Sequence, residues 1–493
     1  MRGLMMDYQL TLPTILRRAE TLFGKKEIVS RLPDKSIHRY TYKDFAKRAK
    51  KLAVALHQLG VHHGDRVATL CWNHYQHLEA YFAIPCIGAV AHPLNLRLNP
   101  DDLAYIVNHA EDKIIIVDQV LLPLFEKFKS AINVSKVIVI QTDTTLPKGY
   151  LNYEEVVASG DDSLFEPFEG DEYSAAFMCY TSGTTGKPKG VLYSHRSIML
   201  HAMSFMSSCV GLSMTERDVM LPIVPMFHAS AWGFPYNCAF VGAKQVFPGP
   251  YLDADNLCPL FESEKVTLTA GVPTVVMGIK NKLDAEPGKY KLSLRTIVIG
   301  GSSAPRFLVK AFDEQYGIQI LHSWGMTEMS PLGSTAVVTS AVERSSKEKQ
   351  YDYATKQGMP VPFVEIRGRN EEGLIPWDGT TMGELEVRGP WVVNSYYRDP
   401  EPAGKFTSDG WFRTGDIVSI SPEGCIEIKD RSKDVIKSGG EWISSIALET
   451  SLMGHPHILE AAVIAVPDEK WGERPFAYVV VKEGKTVSHD ELK

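Results

Sequence analysis

From residue 41 to residue 118 the apolar positions alternate between two periods. "TYKDFAKRAKKLAVALHQLG" repeats its apolar residues at helical spacing. Thr41 and Asp44 stand at the spacing of a capping box, and Gly60 marks a stop. "RVATLC" (66–71) is a short apolar run that predicts a buried strand. "HYQHLEAYFAIPCIGA" predicts a second helix, with Pro85 as its kink or boundary. "LAYIVNHAEDKIIIVD" predicts a helix followed by a strand that ends at Asp118. Strand and helix signals in turn predict an α/β domain with parallel sheet.

The rhythm returns at "SLRTIVIGG" (293–301), a strand running into Gly. "SSAPRFLVKAFDEQYG" predicts a helix, and "IQILHSWGMTE" a strand leading into a loop. From about residue 360 the texture changes to "GELEVRGP", "WFRTGDIVSI" and "GCIEIKDRS". These short alternating runs with Gly turns predict a small β-rich, barrel-like section. After "DRSKDVIKSGGEWISS" comes a last α/β pattern, helical at "ALETSLMGH" and extended at "EAAVIAV" and "FAYVVVKEG". No internal repeat or low-complexity linker interrupts the chain.

At 493 residues the chain is too long for one core, so at least two folded units are expected. With 44% apolar and 23% charged residues it has the composition of a soluble globular protein. A formal net charge of −7 argues against a general nucleic-acid binder. Seven cysteines, an odd number with no CxxC pair, form neither a disulfide framework nor a zinc module, which predicts a reducing, cytoplasmic setting. The first twenty residues lack the apolar core of a signal peptide, and no run of about 18 apolar residues predicts a spanning helix. Peripheral membrane contact and a homodimer both stay open.

"YTSGTTGKPKG" (180–190) crowds three Gly, four hydroxyl residues and two Lys into eleven positions. It does not match G-x-x-x-x-G-K-[ST], since two residues separate Gly183 from Gly186 and Pro follows Lys187. The physical content is similar nonetheless. Glycines allow backbone N–H groups to converge on oxyanions, the hydroxyls add donors, and Lys187 and Lys189 add charge. The preceding "SAAFMCY" predicts a strand, which places the loop at a strand end, where open α/β sheets bind ligands.

At these residues the chain resembles the adenylate-forming enzymes: acyl-CoA synthetases, peptide-synthetase adenylation domains and beetle luciferases. Further motifs follow in that family's order. The resemblance implies a large adenylate-binding domain over 1–432, of mixed α/β sheets with the β-rich section. This would be hinged at Lys433 to a smaller α+β domain that begins within 433–493. It implies that Thr181, Ser182, Gly183, Thr184, Thr185, Gly186 and Lys189 hold ATP phosphates. "SWGMTEMSP" (323–331) resembles the motif whose Thr, here Thr327, contacts the α-phosphate. Its Glu, here Glu328, holds Mg²⁺ together with Thr184. Trp324 stands where the family usually has Tyr, and Gly325 follows it. "GGSSAP" resembles the adenine-lining segment, here Gly301, Ser302, Ser303, Ala304 and Pro305. "RTGD" and "DRSKD" resemble the ribose motifs, here Asp416 and Arg431, with Asp430 replacing the commoner Gly. "KSGGEW" resembles the turn lining the CoA passage: Lys437, Ser438, Gly439 and Gly440.

"PMFHASAWGFP" (225–235) selects a branch. Amino-acid-activating domains have an Asp where His228 stands, and an imidazole cannot hold an α-ammonium. Trp232 matches the tunnel gate of the long-chain bacterial synthetases, and Gly271 in "AGVPTV" falls in their acyl pocket. The match is closest to bacterial medium- and long-chain fatty-acyl-CoA synthetases. The expected activity is an AMP-forming fatty acid:CoA ligase using ATP, Mg²⁺ and CoA. A ligase for an aryl, branched or thioether acid, a non-catalytic nucleotide-binding protein and a luciferase-like enzyme are the alternatives. The family's adenylating lysine lies in a segment like PRTxxGK, and nothing matching it follows Lys437. The small domain is therefore expected to be truncated, and this chain to bind acyl-adenylate while adenylating poorly.

Overall fold

The computed structural model describes every residue except 2, 143, 144, 147, 182–186, 400–403, 439, 440, 469 and 493. The chain forms two compact units. The large one comprises Met1–Thr355, Val361–Phe363 and Pro390–Pro402, and the small one Lys356–Pro360, Val364–Gly389 and Ala403–Lys493.

The large unit contains two mostly parallel sheets. One runs in the order Leu151–Asn152, Lys136–Ile140, Asp112–Asp118, Arg66–Leu70, Val90–Pro93, Ala175–Tyr180, Gly190–Ser194. Its pairs are parallel except the last, in which Ala175–Tyr180 and Gly190–Ser194 run antiparallel. The other contains Leu332–Thr335, Gln319–Gly325, Thr296–Ile299, Leu268–Gly271, Val219–Pro222, Lys244–Phe247, Glu27–Arg31 and Ile37–Thr41 in that order. Its inner pairs are parallel and both end pairs antiparallel. Parallel strands covered on both faces read as continuous apolar runs, which is why "TIVI" is buried at all four positions.

The helices follow their sequence signals. Tyr42–Gln58 starts at a capping box in which the Asp44 amide donates to Thr41 Oγ1 and the Thr41 amide to Asp44 Oδ2. It buries Phe45, Ala49, Leu52 and Leu56. Pro85 falls in the last turn of Tyr75–Cys86, so it acts as a boundary. Separate cores serve the two sheets. Leu103, Val107, Ile115, Phe125 and Val139 pack in one, and Leu257, Phe261, Ile297, Ile299 and Phe312 in the other. Truncating one such Phe to Ala costs about 3–5 kcal/mol.

In the small unit the section expected to be barrel-like is an antiparallel sheet in the order Gly373–Leu374, Glu365–Asn370, Gly383–Arg388, Phe412–Ile420, Ile426–Arg431. A four-stranded antiparallel sheet follows, built on the long pair Ile458–Asp468 and Gly472–Val481, with the helix Ser445–Met453. Compactness thus groups the β-rich section with the C-terminal segment. Among the described residues no helix is long and apolar enough to cross a membrane.

Candidate active site

The strand Ala175–Tyr180 delivers the chain to Thr181, whose amide donates to the Lys189 carbonyl at 3.0 Å. The Lys189 amide donates back to Thr181 Oγ1 at 3.2 Å. The polar loop is therefore closed at its neck by the same antiparallel pairing that makes the sheet edge. Ser182, Gly183, Thr184, Thr185 and Gly186 lie outside the described residues. Lys189 Nζ donates to Asp399 Oδ2 at 2.8 Å and stands 5.0 Å from the centroid of the Tyr396 ring.

The strand Gln319–Gly325 leads into the turn carrying Thr327 and Glu328, both buried. Tyr193 donates its hydroxyl to the Thr327 carbonyl at 2.7 Å. The Tyr396 hydroxyl donates to Glu328 Oε1 at 2.7 Å, and the Val393 amide to the Glu328 carbonyl at 2.8 Å. Trp324 is buried against Gly333, where an added Cβ would lie 2.5 Å from the indole Cζ3. After the strand Thr296–Ile299, Gly301 takes φ +80°. Gly301, Ser302 and Ser303 are exposed, Ala304 is buried, and Pro305 opens the helix Arg306–Ala311.

The ends of the strands Thr296–Ile299 and Gln319–Gly325 meet at a cavity of about 100 Å³, which Lys189, Glu328, Tyr396 and Asp399 do not line. Phe205, Val210, Leu212, Phe234 and Val298 give it apolar walls, and His228, Trp232, Gly301, Trp324, Gly325 and Thr327 also line it. Burial, with a smaller contribution from Arg97, lowers the pKa of His228 and favours a neutral imidazole. Gly271 is not among the lining residues; it is buried at its strand end beside Ile223 and Val276. Trp232 sits on an unusual backbone. Ala229, Ser230, Ala231, Trp232 and Gly233 have φ of 43°, 54°, 47°, 54° and 81°. A left-handed conformation costs an L-residue roughly 1–2 kcal/mol.

In the small unit Asp416 and Arg431 are register partners on adjacent strands, and Arg431 Nη1 donates to Asp416 Oδ1 at 2.9 Å. Asp416 is buried, and its amide donates to Thr414 Oγ1 at 3.0 Å. Asp430 accepts from the Arg431 amide at 2.8 Å and also from the Ser445 amide. A glycine there could not tie the start of Ser445–Met453 to the strand. Lys433 and Lys437 are exposed and Ser438 is buried, while Gly439 and Gly440 lie outside the described residues.

Tyr396 and Asp399 stand in none of the sequence motifs above. Their only signal was the polar-aromatic run "SYYRD" (395–399). Among the described residues Cys71, His74 and Asp118 have metal-ligand spacing. Both His74 nitrogens are already engaged, Nε2 with Asp118 Oδ1 at 2.8 Å and Nδ1 with the His77 amide at 3.3 Å. That cluster is a hydrogen-bonded helix start.

The sequence profile of the AMP-binding enzymes matches residues 16–397, and that of the AMP-binding enzyme C-terminal domain matches residues 447–493. The chain belongs to the AMP-binding enzyme family. It is 48% identical over 490 residues to a long-chain-fatty-acid–CoA ligase of Thermus thermophilus, covering 99% of this chain and 89% of that one. It is 41% identical over 500 residues to a medium-chain-fatty-acid–CoA ligase of Ectopseudomonas oleovorans, covering 100% and 90%. The crystal structure of an anthranilate CoA ligase in complex with anthranoyl-AMP shares the fold with a TM-score of 0.84 and 25% identity, covering 98% of this chain and 89% of that one.

Proposed function

We propose that the chain is an ATP-dependent fatty acid:CoA ligase acting on medium- or long-chain acids. The observation that carries this reading is the cavity, in which apolar walls meet the Trp324–Thr327 turn and His228 contributes an imidazole rather than a carboxylate. A carboxylate is a poor electrophile because its leaving group would be oxide. In the first step a carboxylate oxygen attacks the α-phosphorus of ATP and the bond to pyrophosphate breaks. In the second the CoA sulfur attacks the acyl carbon, its proton goes to solvent, and AMP leaves.

The first step brings one anion to another, so positioning and charge neutralisation dominate it. Thr184, Thr185 and Lys189 would shield the triphosphate, and Thr327 would orient the α-phosphate. Gly301 to Pro305 and Trp324 would receive adenine, and Asp416 and Arg431 the ribose. Glu328 offers a carboxylate that, beside phosphate and Thr184, would suit Mg²⁺, which supplies charge neutralisation when bound. The hinge is assigned to Lys433, with 1–432 holding the adenylate and 433–493 bringing Lys437, Ser438, Gly439 and Gly440 to the CoA side. A reducing cytoplasm is the setting we assign, supported by seven free cysteines.

One observation favours a second reading, a ligase for a shorter or branched acid. The bulky side chains of Phe205, Trp232 and Phe234 line the cavity and leave it small, at about 100 Å³. Calorimetry with non-hydrolysable acyl-adenylate analogues of increasing length separates the two. Each buried CH₂ should add about 0.8 kcal/mol, roughly fourfold in affinity, until the tunnel ends. A rise continuing past about eight carbons supports the fatty-acid reading, a break at about four carbons supports the shorter acid, and no binding overturns both.

A further inference from the structure

The turn at residues 396–399 touches two side chains of the site at once. Asp399 accepts from Lys189 Nζ at 2.8 Å. Tyr396 lies under the same ammonium and gives its hydroxyl to Glu328. The turn is anchored independently of these contacts. The Tyr397 amide donates to the Gly190 carbonyl at 2.8 Å, and Arg398 pairs with Glu111 at 2.6 Å. Gly190 permits that approach, since a Cβ there would lie 3.2 Å from Tyr397 Cβ and 3.0 Å from Met178 Cε.

We infer that Asp399 is the resident counter-ion of Lys189, which the phosphates of ATP displace, while Tyr396 retains the ammonium at the site during the exchange. This rests on the reading above that Lys189 is a phosphate ligand. Lys189 has one positive charge, and a carboxylate and a phosphate oxygen compete for it. Both partners are partly open to solvent, with side chains 42% and 39% exposed. Such a pair is weak enough for a multiply charged phosphate to break it. The Tyr396–Glu328 contact is different, being buried at both ends. One half of the turn therefore exchanges and the other half stays.

The experiment is calorimetric binding of ATP, inorganic pyrophosphate and AMP to the whole chain and to Asp399→Asn, Lys189→Ala and the double variant. Thermal unfolding monitors the fold, and Asp399→Ser serves if the Asn form is unstable. Asp399→Asn should bind ATP and pyrophosphate roughly two- to fivefold more tightly, the scale of an exposed pair, with AMP unchanged. The gain should vanish in the Lys189→Ala background. Weaker or unchanged ATP binding by Asp399→Asn, where Lys189→Ala does weaken it, overturns the inference: Asp399 then positions the lysine or plays no part. If Lys189→Ala leaves ATP binding intact, the phosphate-ligand reading fails first and takes the inference with it.

Discussion

Arg431 crosses to the neighbouring strand and donates to the buried carboxylate of Asp416 at 2.9 Å, while half of its own side chain stays in solvent. The pair predicts different costs for its two members. A hydrogen bond to a charged group contributes about 1.5–3 kcal/mol, so Asp416→Ala should weaken AMP binding about 10- to 150-fold with the fold intact. Arg431→Ala should lower the unfolding midpoint as well, since it strips a buried carboxylate of its arginine partner. Calorimetry with AMP alongside circular dichroism checks both. Unchanged AMP affinity in Asp416→Ala would remove Asp416 from the ribose site.

Much of this arrangement was legible in the chain because local chemistry and tertiary structure agree there. The capping box at Thr41 and the apolar run at 296–299 each state their own environment. The left-handed turn at 229–233 was not legible, because Ala229, Ser230, Ala231 and Trp232 include none of the glycine that normally signals positive φ. Nor were the Tyr396 and Asp399 contacts, whose partners lie 68 and 210 residues away in sequence.

Gly300 is small for a reason that can be measured. A Cβ there would stand 2.8 Å from Trp232 Cη2 and 3.0 Å from the Ser323 carbonyl oxygen. The first clash is with a side chain that can move and the second with backbone that resists. Gly300→Ala should push the Trp232 indole into the cavity and weaken acyl-adenylate analogue binding by about tenfold, a cost of about 1.4 kcal/mol. Trp232→Ala should restore part of that loss in the double variant. Strict additivity of the two changes would show that the indole and Gly300 do not share the site.

Buried histidines predict acid sensitivity. Burial pushes His77 and His201 down to about 3, with His74 adding to the effect at His77, and His195 down to about 4. Above pH 6.5 these groups are neutral in both folded and unfolded chains and contribute no slope. Between pH 6.5 and about 4 the unfolded chain takes up protons that the folded chain refuses, so stability falls as pH falls. Each histidine contributes about 1.4 kcal/mol per pH unit within that window. Unfolding midpoints measured from pH 7 to 5 should drop accordingly, and His201→Leu should flatten the slope by one histidine's share. An unaltered slope in that variant would mean His201 titrates normally.

The turn beneath Trp232 predicts a stabilising substitution inside a buried segment, where most changes destabilise. Ala231 is buried at φ 47°, a region that an alanine enters at roughly 1–2 kcal/mol and a glycine enters freely. Glycine gives back about 0.4–1 kcal/mol through the greater freedom of its unfolded chain. Losing the buried methyl costs about 0.8 kcal/mol more, so Ala231→Gly should be stabilising by up to about 0.8 kcal/mol, while Ala231→Pro, whose ring fixes φ near −65°, should cost several times that. The same relief should loosen the hold on Trp232, because glycine also admits the right-handed alternatives that alanine prefers. Calorimetric unfolding reads the first effect and Trp fluorescence quenching the second. A raised midpoint with freer quenching would mean that the backbone energy stored at 229–233 holds the indole at the cavity, whereas a lowered midpoint would mean that the surrounding packing imposes the turn with alanine as its best occupant.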